Sequence, residues 1–181
     1  MAETTNDALL SVRDLRVQFA GKREPAVDGV DLDLAHSGAL ALVGESGSGK
    51  TVSMRAALGL LSPTTRVSGT AEFDGEDLVA MPESRRRRLR GHRIGMVFQN
   101  AMEAFNPTMT LRRQLTEHLV WHRICDRKEA LSRAIEAMDR VGIPDPARRI
   151  KMYPFQFSGG MLQRAMIAMA IAGQPDLLIA D

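Results

Sequence analysis

A chain of 181 residues, 44% of them apolar and 25% charged, can bury one ordinary core and reads as a globular domain, not a low-complexity or disordered segment. Its apolar runs fall short of the roughly 18 residues that a bilayer-spanning helix needs; Met1 to Asp7 carries no signal-peptide pattern, and the single Cys125 excludes an internal disulfide and fits a reducing compartment. The net charge of +2 is unevenly spread: Arg85, Arg86, Arg87, Arg88, Arg90 and Arg93 hold six of the 24 basic residues, leaving 18 against 22 acidic ones elsewhere, so this is not a globally basic nucleic-acid binder.

In chain order, Leu10 to Phe19 alternates imperfectly and predicts a strand. Val27 to Leu34 alternates cleanly and predicts its antiparallel partner. The run Ala39-Leu40-Ala41-Leu42-Val43 predicts a buried strand, followed by a helix from Val52 to about Leu61 that Ser62-Pro63 stops. Val67 to Phe73 predicts another strand, closed by an Asp74-Gly75 turn. A short helix over Glu83 to Arg90 and a strand over Ile94 to Phe98 come next. The pattern then turns helical over Leu111 to Ile124, Lys128 to Val141 and Ser158 to Ala172, with Gly142-Ile143-Pro144 as a break. Leu177 to Ala180 predicts a last strand that stops on Asp181, an abrupt end that reads as a fragment's.

Between the strand at 39–43 and its helix lies Gly44-Glu45-Ser46-Gly47-Ser48-Gly49-Lys50-Thr51, a complete G-x-x-x-x-G-K-[ST] phosphate loop. Glycines let the backbone turn its N–H groups toward phosphate oxygens, and the helix start adds the positive end of its dipole. Lys50 supplies a mobile charge for the β- and γ-phosphates and Thr51 a hydroxyl for Mg²⁺. A glycine-rich turn with an incidental lysine is the plain alternative, and the strand–loop–helix context argues against it. Three further features stand at telling places. Ser158 caps a helix that begins Ser158-Gly159-Gly160, with open backbone donors. Asp181 ends an apolar strand, where a carboxylate can hold Mg²⁺ or its water. Gln99 follows a strand, where an amide can touch the metal or position water.

In this order the motifs resemble the nucleotide-binding domain of ABC transporters, over about Leu10 to Asp181. Phe157 to Met161 is similar to the family's LSGGQ signature with Phe and Met at its ends. Asp181 matches the Walker B aspartate and Gln99 the Q-loop glutamine. Phe19 is placed like the aromatic that stacks on adenine, with a place in the strand core as the alternative. Tyr153 to Met161, Gln163-Arg164, Met166 to Ala170 and Phe105-Asn106-Pro107 are similar to the dipeptide, oligopeptide and nickel importer ATPases. Met161, Met166 and Met169 read as helix core, not as sulfur ligands.

The resemblance implies an α/β fold: a P-loop NTPase core with an antiparallel β subdomain and an α-helical insert, C-terminally incomplete. It divides the chain into residues 1–99, the insert at 100–157, and the signature helix and Walker B strand at 158–181. It implies ATP and Mg²⁺ as ligands, with Lys50, Gln99 and Asp181 catalytic and Thr51, Gln99 and Asp181 toward the metal. It implies a second ATP-binding subunit whose Ser158 and Gly160 close over the nucleotide. Membrane permease subunits would meet the insert, with Phe105 to Thr108 near the contact, and a solute-binding protein would take part indirectly. The place implied is the cytoplasmic face of the membrane. The glutamate that follows the family's Walker B aspartate and its switch histidine have no counterpart in the chain, so little hydrolysis is expected of these 181 residues alone.

The leading reading is therefore the ATP-binding motor subunit of an importer, with peptides ahead of nickel. A soluble ATPase on nucleic acid and a hydrolysis-dead nucleotide-binding fragment are the alternatives. The arginine run reads as a solvated helix face, ahead of a nucleic-acid or anionic-lipid contact. His118, His122 and Cys125, at i, i+4 and i+7, read as an ordinary exposed helix ahead of a metal site.

Overall fold

The computed structural model describes residues 8–181, so Met1 to Asp7 lie outside the described residues. The chain divides into two compact units, up to Arg86 and from Arg87 onward.

The first unit is built on β1 (Ala8–Gln18), β2 (Val27–Ala35), β3 (Arg66–Phe73) and β4 (Glu76–Asp77), an antiparallel sheet in the order β2-β1-β3-β4. The imperfect alternation of β1 has a local cause. Asp14 sits at φ 45° and both ladders of β1 slip there, so Leu10 and Val12 before the bulge and Leu15 and Val17 after it all point inward. Gly69 of β3 passes this bulge so closely that a Cβ would lie 2.3 Å from the Asp14 carbonyl oxygen. Asp74 and Gly75, both at positive φ, make the two-residue turn into β4. Arg13 grips both carboxylate oxygens of Asp33 across the β1–β2 ladder at 2.7 Å, which holds that carboxyl below the usual range.

Helix α1 (Lys50–Ala57) follows the phosphate loop and ends earlier than the sequence predicts. Gly59 adopts φ 63°; its N–H bonds Ala56 O and the Leu60 N–H reaches back to Arg55 O, a Schellman termination four residues before Ser62-Pro63. The predicted strand at 39–43 does not form: those residues lie in an irregular, exposed stretch, with Val43 93% exposed. An apolar run becomes a strand only where a neighbour supplies ladder partners, and no neighbouring strand pairs with it among the described residues.

In the second unit β5 (Ile94–Val97) and β6 (Leu177–Ala180) form a parallel pair. Helix α2 (Glu83–Leu89) crosses the boundary between the units. Five α-helices of the described residues lie between the two strands: α3 (Ala101–Ala104), α4 (Leu111–Trp121), α5 (Arg127–Arg140), α6 (Pro146–Arg149) and α7 (Gly159–Ile171). Leu111, Leu115 and Leu119 bring one face of α4 into a core shared with Ala130, Ala134 and Met138 of α5 and Ala165 and Met166 of α7. The alanines let the helices approach closely, while Met166 is fully buried as helix core. Asp126 caps α5 by accepting from the N–H groups of Lys128 and Glu129 at 2.8 Å.

Candidate phosphate-binding loop and strand-end site

The phosphate loop is shaped by its glycines. Gly47 and Gly49 stand at φ 85° and 91°, where L side chains are strained. A Cβ on Gly49 would lie 2.8 Å from the carbonyl oxygen of Ala26, so only glycine lets the loop pass beneath the start of β2. Ser53 reinforces the first turn of α1 by donating to Gly49 O at 2.9 Å. No acidic residue stands in that turn, which leaves the positive helix end open to an anion.

Lys50 folds back over the loop. Its Nζ donates to the carbonyl oxygens of Gly44 and Glu45, both at 2.7 Å, and to Ser48 Oγ at 3.2 Å. Three donors thus meet three acceptors, and the ammonium lies across the mouth of the loop. A Cβ on Gly44 would approach Ser48 Oγ to 2.8 Å, so this glycine makes room for the hydroxyl that Lys50 uses. Glu45, Ser46, Gly47 and Ser48 are exposed; Lys50 and Thr51 are half-buried. The loop therefore presents backbone donors and one cation to solvent, and this chemistry fits a phosphate chain.

Phe19 lies one residue past β1 and is half-buried, not a strand core residue. The turn that it opens returns at Ala26, whose N–H bonds Val17 O at 2.8 Å and whose carbonyl covers Gly49. The base of the aromatic's turn is thereby tied to the phosphate loop.

In the second unit the parallel pairing puts Val97 beside Ala180, and the Asp181 N–H extends the ladder to Val97 O at 2.9 Å. Gln99, exposed, and Asp181, half-buried, therefore leave the same C-terminal end of the pair, the end at which open parallel sheets bind ligands. Gly95 allows this packing, since a Cβ there would lie 2.8 Å from Ala170 O of α7. Ser158 caps α7 by accepting from the Met161 N–H at 3.4 Å. Gly159 and Gly160 are exposed, and a Cβ on either would meet nothing within 4 Å, so no packing inside this chain demands glycine there.

Two expectations are corrected. The arginine run is not wholly a solvated face: Arg85, Arg87 and Arg88 of α2 are exposed, but several of the arginines have local partners. Arg86 donates to Leu78 O at 2.9 Å with its guanidinium against Gly59, Arg85 pairs with Glu76, Arg93 pairs with Asp176 at 2.6 Å, and Arg87 lies over the Trp121 ring at 4.9 Å. The His118 face of α4 is not exposed either. Burial, aided by the neighbouring His122, lowers the His118 pKa to about 4, and no group of three His, Cys, Asp or Glu able to hold a metal occurs among the described residues. Sequence reasoning missed the aromatic pair Tyr153 and Phe155, stacked at 5.5 Å with Phe155 73% exposed. The stretch Tyr153-Pro154-Phe155, which caps and opens a 3₁₀ turn (Pro154–Gln156), was its only signal.

A glycine-shaped loop with a lysine folded over it, an antiparallel sheet, and a parallel pair followed by an amide and a carboxylate are together the features expected of a nucleotide-binding cassette. The chain belongs to the ABC transporter family, whose profile matches residues 27–181. It is 46% identical to the peptidoglycan transport ATP-binding protein YejF of Agrobacterium fabrum, covering all of this chain and 34% of that protein. It is 42% identical to the oligopeptide transport ATP-binding protein OppD of Escherichia coli, covering all of this chain and 54% of that one. The dipeptide transport ATP-binding protein DppD of Haemophilus influenzae is 45% identical over 96% of this chain and 54% of its own length. The chain thus spans about half or less of these relatives. In fold it is similar to the ATP-binding cassette MJ0796, solved as a dimer bound to ADP and Pi, with a TM-score of 0.83 at 24% identity over 95% of this chain and 73% of that one. Its fold is that of an ABC ATPase cassette.

Proposed function

We propose that the chain is the nucleotide-binding part of the ATP-binding motor subunit of an importer for peptides. The observation that carries this reading is the phosphate loop, with Lys50 held across it by Gly44, Glu45 and Ser48 at the head of α1. The names of the curated relatives, which specify oligopeptide and dipeptide transport, support peptides ahead of nickel.

In this reading ATP enters the loop and Lys50 exchanges its intraloop carbonyls for the β- and γ-phosphates. Backbone N–H groups of the loop and of the start of α1 add donors, and Phe19 offers a face to the base. Mg²⁺, when bound, neutralises phosphate charge; Thr51, Gln99 and Asp181 are the residues assigned to it. Ser158, Gly159 and Gly160 serve a second ATP-binding subunit, whose nucleotide they close over. Their freedom from packing inside this chain accords with that outward role. Catalysis of phosphoryl transfer to water is then positioning and charge neutralisation by the complete subunit.

The insert at 100–157 is the assigned coupling surface to membrane permease subunits. Phe105 is buried in the core, so the contact falls to exposed apolar side chains such as Met102, Tyr153 and Phe155. No helix among the described residues is long and apolar enough to cross a membrane. The assigned place is the cytoplasmic face of the membrane, beside those permease subunits.

The test is calorimetric titration with Mg²⁺-ATP. Lys50→Ala removes a charge-assisted contact of about 1.5–3 kcal/mol and is expected to weaken binding at least tenfold. Unchanged affinity would defeat the assignment. Crosslinking from Phe155 in an assembled complex should reach a transmembrane subunit.

A further inference from the structure

The outer side of α4 carries an open groove of about 580 Å³, lined among others by Arg112, Arg113, Glu117, Val120, Trp121 and Arg127. Three guanidinium groups face a single carboxylate. Arg112, Arg113 and Arg127 pair with no carboxylate among the described residues, as is also true of Arg87, Arg88, Arg123 and Arg140; what sets the groove apart is that three such arginines line one surface. Among the lining residues Trp121 is 52% exposed, with the Arg87 guanidinium over its ring.

We propose that this groove is a docking surface for the anionic phospholipid headgroups of a bilayer. Unpaired arginines are attracted to a negative surface and require no fixed geometry from it. Trp121 and Val120 supply the amphipathic and apolar contacts that settle at the level of the headgroups. Its donors, Arg112, Arg113 and Arg127, are too exposed to desolvate a free anion. A single-stranded nucleic acid would need a series of rings for its bases, and Trp121 is the one aromatic side chain in the groove, with Arg87 already over it. The inference is independent of the nucleotide-binding reading, and its assay contains no nucleotide.

Trp121 is the only tryptophan of the chain, so intrinsic fluorescence reports on the groove itself. The full chain is mixed with vesicles of phosphatidylcholine alone or with a minority of phosphatidylglycerol, with and without brominated acyl chains. A blue shift and bromine quenching are expected with the anionic vesicles only, and both should fade at high salt. Each arginine near an anionic surface is worth about fivefold in partitioning, so Arg112→Gln, Arg113→Gln and Arg127→Gln together should lower it more than tenfold. The corresponding triple lysine variant keeps the charge and should bind like the unaltered chain, which also decides the matter if the glutamine variant fails to fold. No shift with phosphatidylglycerol, equal binding by the folded glutamine variant, or loss in the folded lysine variant would overturn the proposal. Displacement of the vesicles by a short single-stranded RNA that binds more tightly through the same arginines would overturn it in favour of nucleic acid.

Discussion

Gly49 combines two requirements at one residue. Its φ of 91° belongs to glycine, and the space where a Cβ would stand is taken by the Ala26 carbonyl oxygen at 2.8 Å. Backbone cannot retreat as a side-chain end can, so Gly49→Ala adds a steric conflict to dihedral strain of about 1–3 kcal/mol. The expected outcome is a lower urea midpoint together with weaker ATP binding. Gly47→Ala offers the contrast: φ is again positive, at 85°, but a Cβ would meet nothing within 4 Å. It should cost less in the same titration, and an equal or larger loss than in Gly49→Ala would refute this account of the loop. The residue types of the loop were legible in the sequence because they stand in a fixed pattern, G-x-x-x-x-G-K-[ST], after an apolar run and before a helix. That Ser48 anchors Lys50, and that Ala26 closes over Gly49, was not legible, since both depend on where the chain returns.

At the scale of elements, alternation of apolar residues located β1, β2 and β3, and helical spacing located α4, α5 and α7. What it left out was set by single backbone positions. The bulge at Asp14 reverses the parity of β1, which made its pattern look imperfect, and the Gly59 termination shortens α1. The segment at 39–43 failed in the other direction: five apolar residues predicted a buried strand, yet pattern states a preference for burial and does not supply the neighbouring strand that would satisfy it. Gly69 tests the bulge. A Cβ there would be 2.3 Å from one carbonyl oxygen and 2.6 Å from the next, both backbone atoms of β1, whereas Gly75, also at positive φ, faces open space. Gly75→Ala should cost about 1 kcal/mol, the ordinary penalty for a side chain at positive φ. Gly69→Ala must also separate two paired strands and should cost several-fold more by urea denaturation; equal costs would show that the bulge is more plastic than the ladder suggests.

Across the whole molecule the motifs from Gly44 to Asp181 were legible in order, while the environment of ionisable groups was not. His118 shows why. In sequence it is a histidine on an apparently exposed helix; in the structure it shares the buried side of α4, and Nδ1 finds no hydrogen-bond partner among the described residues. Burial first, and the charge of His122 second, depress its pKa from 6.5 to about 4; His122 is itself lowered by burial, with His92 and Arg87 adding to the effect. The unfolded chain therefore takes up a proton on this residue at higher pH than the folded chain does. The stability that neutral His118 represents is present above pH 6.5 and is lost as pH falls toward about 4, by an amount of about 3 kcal/mol once both states are protonated. The fluorescence of Trp121, in the same helix, reports this unit without interference from another tryptophan. Urea midpoints followed by that signal should fall steeply between pH 6.5 and 4. His118→Leu removes the titrating group and the buried, unsatisfied nitrogen together, and should flatten most of this slope. A variant whose midpoint falls with acid as steeply as that of the unaltered chain would place the acid sensitivity elsewhere, with the carboxylates paired to arginine, Asp33 first among them, as the remaining source.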